Sequence, residues 1–175
     1  MNSVLLNLRL LVMRLILLGF STLIVSCASH QEDYNNSIEV FQQFSDLQSV
    51  INQEKDRLMI VNFWATSCPP CLREMPHFGK LEEEYGSKLK VLLVSLDKVD
   101  LLESRVYPFV EKYKITPEVA VLQDPNYSAW TDEIDSSWYG ALPATIMIKG
   151  KERNFRFGSY ESYEELQADV DSFME

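Results

Sequence analysis

The run Leu58-Met59-Ile60-Val61-Asn62-Phe63-Trp64 is apolar at six of its seven positions and does not alternate. A strand with one wet face alternates apolar and polar residues, so this run has to be covered on both faces, as a central strand is. Residues 91–96 and 119–122 are shorter runs of the same kind. Between the first two, Leu72, Met75, Phe78 and Leu81 recur at helical spacing over 70–85, with Gly86 placed to end the helix and Pro76 to kink it. Residues 104–113 put Val106, Phe109, Val110 and Tyr113 on one helical face, although Pro108 must bend or restart that helix. Residues 127–134 read as a short helix, and 144–148 and 154–157 as strands joined by Lys149-Gly150-Lys151-Glu152, a hairpin signal. Ser162 with Glu165 opens a last helix whose inner face is Leu166, Val170 and Phe173. Ahead of all these, Ile38, Val40 and Phe44 alternate as a short strand does, and Ser45 with Gln48 makes a capping box for a helix facing inward through Leu47, Val50 and Ile51. This order predicts an α/β domain with a mixed sheet and helices on both faces.

A chain of 175 residues suffices for one such domain and is short for two. Sixteen basic against 26 acidic residues, a net charge of −10, argue against nucleic acid or anionic lipid as a partner. The first residues read differently. Arg9 and Arg14 precede an apolar stretch at 15–25, the layout of an export signal. A membrane-spanning helix needs about 20 apolar residues, and Arg14 interrupts the longer run. Leu23-Ile24-Val25-Ser26-Cys27 then resembles the lipobox of bacterial lipoproteins, in which the cysteine is lipidated and becomes the new N-terminus. Residues 1–26 are therefore expected to be a lipoprotein signal peptide, 27–37 a lipidated tether and 38–175 the folded domain. A retained anchor and a plainly cleaved secretory peptide are the alternatives. Each puts the domain outside the cytoplasm, and the lipoprotein reading puts it in the cell envelope. The lipid would hold it to a membrane facing the periplasm or at the cell surface, with the outer membrane favoured because Ala28 stands where inner-membrane retention uses an aspartate. Met13 offers a second start that gives the same mature chain.

With Cys27 assigned to lipid, Cys68 and Cys71 remain as a pair. Cys68-Pro69-Pro70-Cys71 lies where the buried strand gives way to a helix, which places Cys68 at the positive end of the helix dipole, where a thiolate is stabilised. A zinc site would need four ligands, and beyond this pair the chain offers His30 and His77. A purely structural disulfide closing so short a loop would stabilise little. Thiol–disulfide chemistry is the reading that remains, and neither a metal nor a cofactor is expected.

Asn62-Phe63-Trp64-Ala65-Thr66-Ser67-Cys68-Pro69-Pro70-Cys71, followed by Glu74-Met75-Pro76, resembles the active-site segment of the TlpA/ResA branch of the thioredoxin superfamily. Ala141-Leu142-Pro143-Ala144-Thr145 resembles that branch's cis-proline loop. The resemblance implies a thioredoxin-like three-layer α/β/α fold with a central mixed sheet. It implies Cys68 as the attacking thiol, Cys71 as the resolving one, and Pro143, behind Leu142, as the residue that presents backbone to the substrate. Two departures stand out. Asn62 takes the place of thioredoxin's buried aspartate, as elsewhere in the branch, so proton transfer at Cys71 needs another group. Asp97, at the end of the second buried strand, is one candidate and Lys98 competes for the match; a helix cap is the plainer role for the aspartate. Ser67 replaces the usual tryptophan before the first cysteine.

Trp64 reads as a wall beside the disulfide or as a core residue. Arg73 and Glu74 are expected on the exposed side of the helix, and His77 on its surface. Trp130 and Trp138, in an insertion at 123–142, form either a client-binding lip or the packing of a long loop. The leading function is reduction of disulfides in protein clients, fed by a membrane-side electron donor, in a monomer. A copper metallochaperone, with His77 or Met75 as third ligand, is the alternative. A peroxiredoxin-type peroxidase is set aside because Val61 and Ala65 stand where that pattern has Pro and Thr.

Overall fold

The computed structural model describes residues 38–175. Its elements are β1 (Glu39–Phe41), α1 (Phe44–Ile51), β2 (Leu58–Trp64), α2 (Pro69–Tyr85), β3 (Leu89–Ser95), α3 (Tyr107–Tyr113), β4 (Glu118–Leu122), α4 (Tyr127–Ile134), β5 (Ala144–Lys149), β6 (Glu152–Phe157) and α5 (Tyr163–Met174). The sheet runs in the order β1-β4-β3-β2-β5-β6. β1, β4, β3 and β2 are mutually parallel, and β5 and β6 are antiparallel to their neighbours. β2 is buried at all seven positions, as its apolar run requires.

The alternation along β2 sorts its side chains into two cores. Leu58, Ile60 and Trp64 face one layer with Met75, Phe78 and Leu81 of α2 and Leu166 and Val170 of α5. Met59, Val61 and Phe63 face the other, with Phe44, Leu47 and Ile51 of α1 and Trp130 and Ile134 of α4. Helices on both faces of a mixed sheet make the expected three layers. Ser162 caps α5 by accepting a hydrogen bond from Glu165 N at 3.3 Å. α2 runs through Pro76 as one element and stops at Gly86, whose φ is +54°. Where one helix with Pro108 inside was expected, a 3-10 turn (Val99–Leu101) and a π-type turn (Leu102–Val106) lead into α3, and Pro108 falls in its first turn, where its missing N–H costs nothing.

The capping box at Ser45 does not form. α1 begins one residue earlier, at Phe44, which is buried rather than part of a strand, and Gln43 in the cap position makes no side-chain bond. The free N–H of Phe44 instead donates to Asp124 Oδ2 at 2.9 Å, from the far end of β4. A distant carboxylate at a helix start does the work of a local cap.

The segment between α4 and β5 is held by aromatic residues. Trp138 packs against Phe63 at 4.9 Å and Trp130 at 5.5 Å, and donates to Ala141 O at 2.8 Å. Tyr127 donates its hydroxyl proton to Gly140 O at 3.0 Å. Gly140 adopts φ +85°, and a Cβ there would stand 2.2 Å from Tyr127 Cε1. Gly140→Ala is therefore expected to cost about 2 kcal/mol or more, against about 1 kcal/mol for Gly150→Ala, which has φ +62° and open space. Denaturant unfolding of both variants checks this, and equal losses would mean that the Tyr127 clasp yields freely.

Candidate active site: a disulfide at a helix start

β2, β3 and β5 bring three loops to one edge of the sheet. Trp64 ends β2, Ser95 beside it ends β3, and Ala144 pairs with Phe63 to start β5. Cys68 is the N-cap of α2, in extended conformation, and is bonded to Cys71 with a Cα–Cα distance of 5.3 Å. Its Sγ accepts from Cys71 N at 3.3 Å. Pro69 and Pro70 occupy the first helical positions, where an N–H has no intrahelical partner in any case. Cys68 is half-buried and Cys71 is buried, so a thiol approaching from solvent meets the Cys68 sulfur first. Leu142–Pro143 is a cis peptide bond; Pro143 is buried, its carbonyl accepts from Gly158 N at 2.8 Å, and Leu142 packs on both cores.

The turn before Cys68 is braced by Asp97. Its Oδ2 accepts from Thr66 N at 2.7 Å and Ser95 Oγ at 2.9 Å, and its Oδ1 accepts from Thr66 Oγ1 at 2.7 Å. Both oxygens are engaged in holding the loop. Trp64 is fully buried in the core that contains Cys71, with its ring 5.2 Å from Phe109 and its Nε1 without a partner. Arg73 is exposed, as expected, and His77 is half-buried on α2, where burial lowers its pKa. Trp130 and Trp138 are buried, which is the loop-packing alternative. The exposed aromatics nearby are Tyr139, 76% exposed, and Phe157, 52% exposed, with ring centroids 6.0 Å apart. Among the described residues no three His, Cys, Asp or Glu side chains converge as metal ligands do.

Glu74 corrects the sequence-based expectation. It is not on the outer side of α2 but fully buried, between the helix and the sheet. Three residues after Cys71, it falls on the same inward stripe as Cys71, Met75 and Phe78. Its Oε1 accepts from Asn62 Nδ2 at 2.9 Å and its Oε2 from Tyr160 N at 2.8 Å. Burial raises its pKa to about 7; the bonds from Tyr160 and Asn62 and the charge of Arg156 pull the other way and do not offset it. A polar Asn62 inside an apolar strand is the signal that could have found it, since such a residue demands a buried partner.

The chain belongs to the AhpC/TSA family, whose model matches residues 34–153. Thioredoxin-like protein YneN of Bacillus subtilis is 38% identical over 68 residues, 39% of this chain and 40% of that one. Thiol-disulfide oxidoreductase ResA of Halalkalibacterium halodurans is 34% identical over 91 residues, 51% of this chain and 47% of its own length. ResA of Oceanobacillus iheyensis is 29% identical over 148 residues, covering 77% and 72%. The chain thus spans less than half the length of the first two relatives. Among solved structures, a thioredoxin-related protein from Neisseria meningitidis serogroup B superposes with TM-score 0.60 at 22% identity, over 71% of this chain and 90% of that one. A thiol:disulfide interchange protein of the thioredoxin family from Chlorobium tepidum gives 0.59 at 20% identity, over 71% and 84%. The fold is thioredoxin-like. Val61 and Ala65 are both buried.

Because the Glu74 pKa in the fold lies above its ordinary 4.5, the protonated form is the one the fold favours. That contribution is complete below pH 4.5 and is lost as pH rises through about 7. Glu74→Gln is expected to be more stable than the parent by about 3 kcal/mol above that range, with the gain shrinking as pH falls. Urea unfolding across this range measures it; a pH-independent difference would remove Glu74 as the titrating group.

Proposed function

We propose that the chain is a thiol–disulfide oxidoreductase that reduces disulfides in protein clients outside the cytoplasm. The observation that carries this reading is the division of labour at α2: an accessible Cys68 at the helix start, a buried Cys71, and a buried carboxyl one turn further on. In the dithiol form the Cys68 thiolate attacks a client disulfide, forming a mixed disulfide and releasing the first client thiolate. Cys71 then attacks Cys68 Sγ and gives up its proton, for which the Glu74 carboxylate is the buried acceptor on the same helix face. The Cys68–Cys71 disulfide forms, the second client thiolate leaves, and the client has gained two electrons. A membrane-side dithiol donor restores the reduced state. Leu142, set in place by its cis bond to Pro143, presents backbone to the client, Trp64 walls the buried side, and Asp97 holds the approach turn. The exposed Tyr139–Phe157 pair supplies apolar surface two strands away from β2, at the Pro143 edge.

The direction of electron flow follows from what surrounds Cys68. Pro69 and Pro70 donate no N–H, which leaves Cys71 N and the helix end to stabilise the thiolate. The Cys68 thiolate should be only modestly stabilised, and the potential nearer to about −270 mV than to −120 mV, which is a reductant's range. Equilibration with glutathione, read by tryptophan fluorescence, tests this. A value above about −200 mV would reassign the chain to oxidation or isomerisation. In the same preparation Cys71→Ala should accumulate client mixed disulfides, and Cys68→Ser none.

Cys27 lies outside the described residues, and the lipid anchor there is part of the proposal. Among the described residues no helix is long and apolar enough to cross a membrane. A lipid chain gives about 0.8 kcal/mol per buried methylene. Cys27→Ser is expected to release the protein from membranes with its exchange activity intact; retention in the membrane pellet would identify residues 15–25 as the anchor instead.

A further inference from the structure

Asn62 sits in the middle of β2, fully buried, on the face that carries Ile60 and Trp64. Its Nδ2 donates to Glu74 Oε1 at 2.9 Å and to Thr145 Oγ1 at 3.1 Å, across the β2–β5 pair in which Asn62 and Thr145 are direct partners. Its Oδ1 is equally buried and has no donor at all. A primary amide is nearly the same shape when turned by a half-rotation about its last bond, so the alternative orientation needs no extra space. That orientation puts the oxygen between Glu74 and Thr145. It has partners only if both of those groups donate, which Thr145 does through its hydroxyl and Glu74 does once it carries a proton.

Resting on the exchange reaction proposed above, we propose that the Asn62 amide is a proton-state latch: it turns its NH₂ toward Glu74 and Thr145 while Glu74 is ionised, and its oxygen toward them when Glu74 has taken the Cys71 proton. Asn62 and Thr145 are then positioning residues. They let a carboxyl group in a dry interior hold the proton in one form and release it in the other without losing its hydrogen bond. The Tyr160 N–H satisfies Glu74 Oε2 in both states. Of the charged and titratable groups around Glu74, Arg156 on β6 favours the ionised form and Glu161 opposes it, while Tyr160 directs its hydroxyl to Asp169 on α5. His77, on α2 itself, interacts with Glu164 and Lys80 instead. The proton that moves in this space is the one shared between Cys71 and Glu74.

Nuclear magnetic resonance of the reduced full chain tests the latch without any client. As the Glu74 carboxyl carbon titrates, the Asn62 Nδ2 protons should lose their Overhauser contacts to the Thr145 side chain with the same midpoint. In Glu74→Gln, whose amide donates to Asn62 permanently, the rotated pattern should persist at every pH. In single-turnover resolution of a Cys68 mixed disulfide, Thr145→Val should slow the Cys71 step about tenfold and displace its pH midpoint, and Thr145→Ser should restore both. Asn62 contacts that stay fixed while Glu74 titrates, or a Thr145→Val profile that matches the parent's, would overturn the latch. Loss of exchange in the parent itself would instead overturn the oxidoreductase reading, and the resonance experiment keeps the two apart.

Discussion

A carboxyl group buried against a sheet has to be held by hydrogen bonds from its surroundings, and in this molecule those bonds tie three separate elements together. Glu74 belongs to α2, its Asn62 donor to β2, and its Tyr160 donor to the segment that leads into α5. The helix carrying the disulfide is thereby fixed to the sheet directly beneath Cys71. Tyr160 extends the same connection outward: its ring lies 4.3 Å from the Arg156 guanidinium and 6.2 Å from Phe78, and its hydroxyl donates to Asp169. Arg156 in turn pairs with Glu165 at 2.5 Å. Each step is modest in energy because these outer pairs are partly exposed. Their common effect is to fix the one orientation of α2 in which Glu74 can be buried.

The opposite side of the disulfide is organised by a second carboxylate with a different task. Asp97 accepts three hydrogen bonds from Thr66 and Ser95 and so fixes the turn that delivers Cys68 to the helix start. Glu74 differs in being fully buried, and burial favours its protonated form. The two acids thus have different surroundings: Asp97 braces a turn, and Glu74 ties a helix to the sheet. Pro143 completes the edge, because β5 starts beside the end of β2 and places that loop next to Trp64.

Much of this arrangement was legible in the sequence. The apolar run of β2 has the same limits in the structure as in the chain, and the hairpin, the Ser162 cap and the Cys-Pro-Pro-Cys helix start all follow from local chemistry. Failures came where a distant group took over a local task. Ser45 looked like a cap, but Asp124, eighty residues away, serves the helix start instead. Glu74 looked like a surface residue because charged helix positions usually are, and its burial depends on Asn62 and on the Tyr160 backbone, neither of which is its neighbour in sequence. Of the two readings open for Trp130 and Trp138, burial favours packing over a client-binding lip. The exposed partners, Tyr139 and Phe157, come from segments whose meeting no periodicity reveals.

The two prolines and the buried glutamate belong to one physical design. Replacing two potential N–H donors by Pro69 and Pro70 leaves the Cys68 thiolate with little beyond the helix end and Cys71 N to stabilise it. In the proposed reaction a thiolate so weakly held is a poor sink for electrons, in keeping with a reductant. In the proposed exchange the difficulty then moves to the second step, because Cys71 is buried and would have to give its proton to a neighbouring group. A carboxyl whose pKa has been raised to about 7 is matched to that need, since it takes and returns a proton near neutrality where an ordinary glutamate stays ionised. The same burial that destabilises the ionised fold at high pH is what sets this match. Stability and the proposed proton transfer are therefore opposed at Glu74, and the bonds from Asn62 and Tyr160 reduce the cost of its ionised form.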